Sequence, residues 1–296
     1  MNLTGILNSD ERRSALSIIE NAQSHDAIPP FSEQFLLGLD DERLGHRHVL
    51  VDGGIAAIAP GGDVELVVDP DVRGQHIGSD LVEATKAAGG TKFWAHGNLP
   101  AAKNLAAKNQ MKLTRELWVM ARPVSSQPAE PAVFPEGMRL LNLRQSIEAF
   151  GEGWTMESWL RVNNEAFDWH PEQGHWDMPR LRRALEAEWV KPEGIFLLWE
   201  QSQDPDENIT ARPTLLGFHW TKLEDGVGEI YVVGLANAAR GRKLGAPLTE
   251  AGIHYMEAIL GSGRIDLYVE HDNAPAIRLY EKEGFAVRET HSVYEA

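Results

Sequence analysis

The chain has 296 residues, 43% hydrophobic and 24% charged, which is enough apolar content for a substantial core in one large domain or two of about 150. Its 44 acidic residues against 28 basic give a net charge of −16, which argues against nucleic acid as a partner and suits an acceptor that is cationic in solution. Zero cysteines exclude disulfides, thiolate metal sites and a cysteine nucleophile, and with no apolar run near 18 residues and no basic-then-apolar leader neither membrane nor secretion is expected. A cytoplasmic monomer is the expectation.

In chain order, the first half predicts a helix over 9–22, with Ser9 or Asp10 as its N-cap, and a short helix after Pro29-Pro30. Two strands near 46–52 and 54–59 form a hairpin across Gly53-Gly54. A strand from Val64, a helix over 77–88, a strand at 91–95, a helix at 100–108 and a strand at 113–121 follow. Residues 122–137 hold four prolines with Ser, Gln and Glu, the composition of a semi-rigid linker. The domains are therefore drawn at 1–122 and 138–296, with a linker at 123–137. The second half predicts a strand at 138–143, helices over 155–166 and 178–189, and a loop from Asp168 to Asp177 between them. Strands at 194–200 and 214–222 flank a polar loop at 201–213 that is expected to be mobile. A strand to Val233, a helix to about Leu260, a strand at 264–270, a helix at 274–283 and a last strand at 285–293 complete it. Each half reads as the same α+β order of mixed strands with flanking helices.

The stretch that organises this order is Glu229 to Ala246. The apolar run Ile230-Tyr231-Val232-Val233, rich in β-branched residues, reads as a buried strand, and Gly234-Leu235 lead to Arg240-Gly241-Arg242-Lys243-Leu244-Gly245-Ala246, which open a helix. Unpaired N–H groups at a helix N-terminus and the positive end of its dipole hold phosphate, and three cations stand beside them. The plan occurs twice. Leu66-Val67-Val68 end a strand, and Arg73-Gly74-Gln75-His76-Ile77-Gly78-Ser79 open the next helix. Laying Arg73 on Arg240 aligns Gly74 with Gly241, Ile77 with Leu244 and Gly78 with Gly245, an internal repeat.

This spacing resembles the acetyl-CoA pyrophosphate loop of the GCN5-related N-acetyltransferases, except that His76 and Lys243 stand where that motif has its first glycine. The run from Asn273-Ala274-Pro275-Ala276-Ile277-Arg278 through Tyr280 to Gly284-Phe285 resembles the last motif of the same family, in which the Asn lies near the coenzyme and the Tyr near the thiolate leaving group. Longer stretches, Phe167 to Gly174, Leu216 to Lys222, Gly228 to Gly234 and Leu267 to Asn273, resemble actinobacterial two-domain members of this superfamily. The resemblance implies a tandem pair of acetyltransferase domains that take acetyl-CoA as donor and use no metal. The implied acceptor is a small aminoglycoside-like thiol, cysteinyl-glucosaminyl-inositol, acetylated at its cysteinyl amine. It further implies acceptor contacts at Glu33, Lys222, Glu229, Tyr268 and one of Glu172 or Asp177. Glu229 matches the base and Tyr280 the acid, with coenzyme contacts at Val233, Gly234, Leu235, Arg240 to Ala246 and Asn273 to Arg278. First-half coenzyme contacts fall at Leu66 to Val68 and Gly74 to Ser79.

Comparing the halves, Gly62 falls where Glu229 sits and Ala106 where Tyr280 sits, so the first half keeps the phosphate turn but lacks both proton-transfer groups. Backbone N–H groups at a bulge expected at Gly234 are suited to a developing thioester oxyanion. Trp169, Trp176 and Trp220 are either a sugar-binding set or core, and His170 with His175 lack a third ligand for a metal site. Two other readings stand beside the first: an acetyltransferase for a different small amine, such as an aminoglycoside or an amino acid, and a non-catalytic acyl-CoA sensor.

Overall fold

The computed structural model describes residues 3–125, 132–169, 173–201, 212–261 and 263–295, and these divide by contact into two units. Unit 1 comprises Met1–Val119, Glu270–Asp272 and Val287–Ala296; unit 2 comprises Met120–Val269 and Asn273–Ala286. The stretch at 126–131, within the proline-rich linker, and most of the polar loop, 202–211, lie outside the described residues.

Unit 1 begins with β1 (Leu3–Thr4), α1 (Ser9–Asp26) and α2 (Glu33–Leu37). The N-cap of α1 is Asn8 rather than Ser9 or Asp10. Its side chain accepts from the Asp10 and Glu11 N–H groups while Glu11 reaches back to the Asn8 N–H, a capping box that carries the helix past the predicted end. The strands β2 (Arg47–Val51), β3 (Gly54–Ile58) and β4 (Asp63–Val68) pair antiparallel in succession. Then come α3 (Ile77–Ala87), β5 (Lys92–Ala95), α4 (Pro100–Lys108) and β6 (Lys112–Pro123). Ile18, Ile19, Phe31, Phe35 and Ile55 pack α1 and α2 onto one sheet face; Leu81 and Val82 of α3 are buried with strand residues.

Unit 2 contains β7 (Met138–Asn142), α5 (Leu143–Phe150), α6 (Glu152–Ala166), α7 (Met178–Ala184), β8 (Ile195–Glu200), β9 (Thr214–Glu224), β10 (Val227–Leu235), α8 (Gly245–Leu260), β11 (Arg264–Glu270) and α9 (Ala274–Lys282). Helix α5 is absent from the sequence expectation although it carries a capping box, Asn142 with Gln145. Helix α7 ends sooner than predicted. The sheet order is β11-β10-β9-β8-β7, with β10 and β11 parallel and the other pairs antiparallel. Trp159, Trp199, Phe218 and Trp220, all nearly inaccessible, form the core under α6.

The final strand, β12 (Ala286–Glu295), pairs antiparallel with β5 through Ser292–Ala95 to Glu295–Lys92, and nearly all of it is grouped with unit 1, whose sheet runs β1-β2-β3-β4-β5-β12-β6. Chain order places this strand in the second half, and contact places it with the first.

Candidate active site

The duplication is visible in backbone angles. A single 3-10 turn precedes each phosphate turn, Pro70–Val72 in unit 1 and Asn237–Ala239 in unit 2. Arg73 and Arg240 follow with φ of −62° in both, then Gly74 and Gly241 at 83° and 76°, then His76 and Lys243 at 67° and 59°. The two non-glycine residues therefore take up the left-handed geometry that the motif glycine supplies at little strain. Neither α3 nor α8 has a side chain capping its N-terminus. A helix start without a side-chain cap is suited to an anion.

The cations differ. Arg73 is committed to a two-pronged ion pair with Asp26, at 2.9 and 2.7 Å, and to the Val68 carbonyl; that pairing pulls the Asp26 carboxyl below its ordinary range. Arg242 pairs with Glu200 at 2.5 Å, which likewise lowers the Glu200 carboxyl. Lys243 is exposed at the turn.

Parallel pairing in unit 2 runs from Val227–Arg264 to Ile230–Leu267, while β10 continues to Leu235. The irregularity that accompanies this parting lies at Tyr231, between Ile230 and Val232, and Gly234 sits in regular register with Phe218. The bulge expected at Gly234 is thus three residues earlier. Gly234 is small for packing: a Cβ there would meet the Ala166 Cβ at 2.9 Å. Unit 1 repeats the pattern, with β4 and β5 paired at Asp63–Lys92 and Val64–Phe93 while β4 runs on to Val68. Along this parting a cavity of about 340 Å³ is lined by Leu66, Val67, Val68, Gly74, His76, Ile77, Gly78 and Ser79, so that of the first-half coenzyme residues Gln75 alone is not on its wall.

Glu229 is half-buried on β10, in register with Lys222 on β9 and with Asp266 on β11. Lys222 bonds Glu224 at 2.9 Å and lies 5.1 Å over the Trp189 ring. Tyr268 is exposed on the same face of β11 as Asp266. Tyr280 is the seventh residue of α9, as Ala106 is of α4, and the bonds Phe285 N–H to Tyr280 O and Met111 N–H to Ala106 O, both 3.0 Å, close the two helices alike. Tyr280 is buried, and loss of hydration pushes its phenol up to about 12. Asn273 caps α9 through the Ala276 N–H.

Other expected residues are placed more plainly. Glu33 opens α2 in unit 1 and is exposed. Asp177 caps α7 through the Arg180 N–H at 2.8 Å; Glu172 and His170 lie outside the described residues. Trp176 and Trp220 belong to the core, and Trp169 is exposed. Asp266 was not singled out by sequence. The alternation along Arg264–Glu270 put it on the polar face, but only the strand register puts it beside Glu229.

Residues 157–285 match the Acetyltransferase (GNAT) family. A GCN5-related N-acetyltransferase from Sphaerobacter thermophilus superposes with a TM-score of 0.67 at 19% identity, covering 100% of this chain and 95% of that one. A tandem GNAT protein from the clavulanic acid biosynthesis pathway gives 0.67 at 14% identity, covering 100% and 98%. Fold and turns together define a tandem fold of the GCN5-related acetyltransferase class, as expected from the sequence. A mycothiol acetyltransferase of Corynebacterium aurimucosum is 46% identical over 92% of this chain and 91% of its own length, and one of Mycolicibacterium vanbaalenii is 37% identical over 98% and 95%. The chain belongs to the mycothiol acetyltransferase family.

Proposed function

We propose that unit 2 transfers acetyl from acetyl-CoA to the cysteinyl amine of cysteinyl-glucosaminyl-inositol, giving mycothiol. The observation that carries this is the uncapped start of α8 behind Arg240, Gly241, Arg242 and Lys243, at the end of the strand that bears Glu229. In this reading the α8 turn and the Asn273–Arg278 segment hold the coenzyme phosphates. Val233, Gly234 and Leu235 line its acyl arm. Lys222, Glu229 and Tyr268, which share a sheet face, meet the acceptor.

The reaction forms a C–N bond, breaks the C–S bond and moves one proton from nitrogen to sulfur. Glu229 takes the amine proton. An α-amine titrates near 7.7, so only one proton needs to be removed from the acceptor. Tyr280 stands to the leaving sulfur as a neutral phenol. Complete transfer from a phenol near 12 to a thiolate near 8.5 is uphill by roughly 5 kcal/mol. Its part is therefore to donate a hydrogen bond to the developing thiolate, which takes its proton from solvent on release while Glu229 gives its own back to solvent.

The test is acetyl-CoA consumption with cysteinyl-glucosaminyl-inositol against a panel of aminoglycosides and amino acids. Turnover confined to the first acceptor, lowered roughly 10²–10⁴-fold in Glu229→Gln, is expected. No turnover with it overturns the assignment. Unit 1 keeps the same turn over its own cavity, and we infer that it contributes binding or stability rather than chemistry, since Gly62 and Ala106 stand at the proton-transfer positions.

A further inference from the structure

The carboxylate of Glu229 is the middle of a row that crosses three strands. On one side Lys222 is drawn toward Glu224 and Trp189. On the other side Asp266 lies in parallel register, and it is 7% exposed, an unusual degree of burial for an aspartate. Arg264 bonds both Asp266 oxygens through Nε, at 3.0 and 2.9 Å, with its own side chain 47% exposed. Water therefore screens the guanidinium more than it screens the carboxylate.

We infer that Asp266 raises the proton affinity of the Glu229 site, with Arg264 as the counterweight that limits the effect. The inference rests on Glu229 being the base. Adjacent strands lie about 4.8 Å apart, and a second carboxylate at that range favours whichever neighbour carries a proton. An ordinary carboxylate near 4.3 is poorly matched to an amine near 7.7, so a carboxylate raised toward the amine is the better acceptor for its proton. In the step the N–H electrons stay on nitrogen and attack the thioester carbonyl, the proton goes to Glu229, and Asp266 itself takes none. Among the described residues, the charged and titratable groups on this face of the three strands, besides Glu229, are Lys222 and Glu224 from β9, Tyr231 from β10, and Arg264, Asp266, Tyr268 and Glu270 from β11.

The test is the pH dependence of kcat at saturating acetyl-CoA and cysteinyl-glucosaminyl-inositol. Asp266→Asn is expected to move the acidic limb down by about one pH unit and Arg264→Gln to move it up, since the second variant unmasks the Asp266 charge. A structural role alone does not give shifts of opposite sign. Limbs that stay in place, or move together, overturn the inference. If Asp266→Asn does not fold, Arg264→Gln decides, and no upward shift is fatal. Glu229→Gln separates the two levels. Full activity in that variant removes Glu229 as the base, whereas lost activity there with both limbs unmoved removes only the role of Asp266.

Discussion

His219 ties the stability of unit 2 to pH. It sits on β9 opposite Val233, has no solvent access, and donates from Nδ1 to the Leu248 carbonyl at 3.0 Å, while Nε2 has no hydrogen-bond partner among the described residues. Gly252 of α8 lies against the ring so closely that a Cβ there would come within 2.1 Å of it. The Leu248 carbonyl alone does not offset the lost hydration of a positive charge, and burial pushes its pKa from 6.5 down to about 4. The folded value is the lower one, so between these values the unfolded chain binds more protons. The stabilisation is present above 6.5 and is lost as pH falls toward 4. At pH 5 the loss relative to pH 7 is about 2 kcal/mol, and moving the folded value by a unit either way changes that by only a few tenths. His219→Gln keeps a donor for Leu248 and does not titrate. Urea unfolding of both proteins at pH 7 and pH 5 should show the native chain losing about 2 kcal/mol more than the variant across that interval. Parallel losses would refute the argument, since every other titrating group is common to the two.

Tyr280→Phe leaves volume and burial intact, so the unfolding transition is expected to stay within about 1 kcal/mol while kcat falls at least tenfold and the KM for acetyl-CoA holds; steady-state kinetics with a parallel melt checks it. Arg73→Ala strands the largely buried Asp26 carboxylate and should cost unit 1 about 2 kcal/mol, seen as an earlier calorimetric transition, with kcat nearly unchanged. A large fall in kcat there would give unit 1 a part in the chemistry. Truncation after Phe285 removes the partner of β5 together with Tyr294, whose hydroxyl donates to Asn98, and is expected to expose unit 1 to proteolysis.

The residues that announced the site did so through chemistry the backbone must obey. Gly74 and Gly241 signalled turns, and the strand-to-helix order around them came out as read. His76 and Lys243, the departures from the motif, turned out to adopt the geometry of the residue they replace, which composition does not reveal. The Gly234 bulge was misplaced because a glycine in a strand marks either an irregularity or a close neighbour, and here it marks Ala166 and Phe167. Asp266 was out of reach because register between β10 and β11 is set by packing across 36 residues of intervening chain (Glu229 pairs Asp266), not by local pattern. Helix α5 was legible in the Asn142–Gln145 box and was missed.

The pairing of β12 with β5 has a consequence for biosynthesis. A ribosome releases this chain from the amino end, so the edge of β5 waits for a strand that emerges only after β7 to α9 have been made. Until then unit 1 presents open backbone donors and acceptors along Lys92–Ala95, a template for stray strands. Whatever order the remaining elements follow, the sheet of unit 1 cannot be finished before the strands and helices of unit 2 have been synthesised.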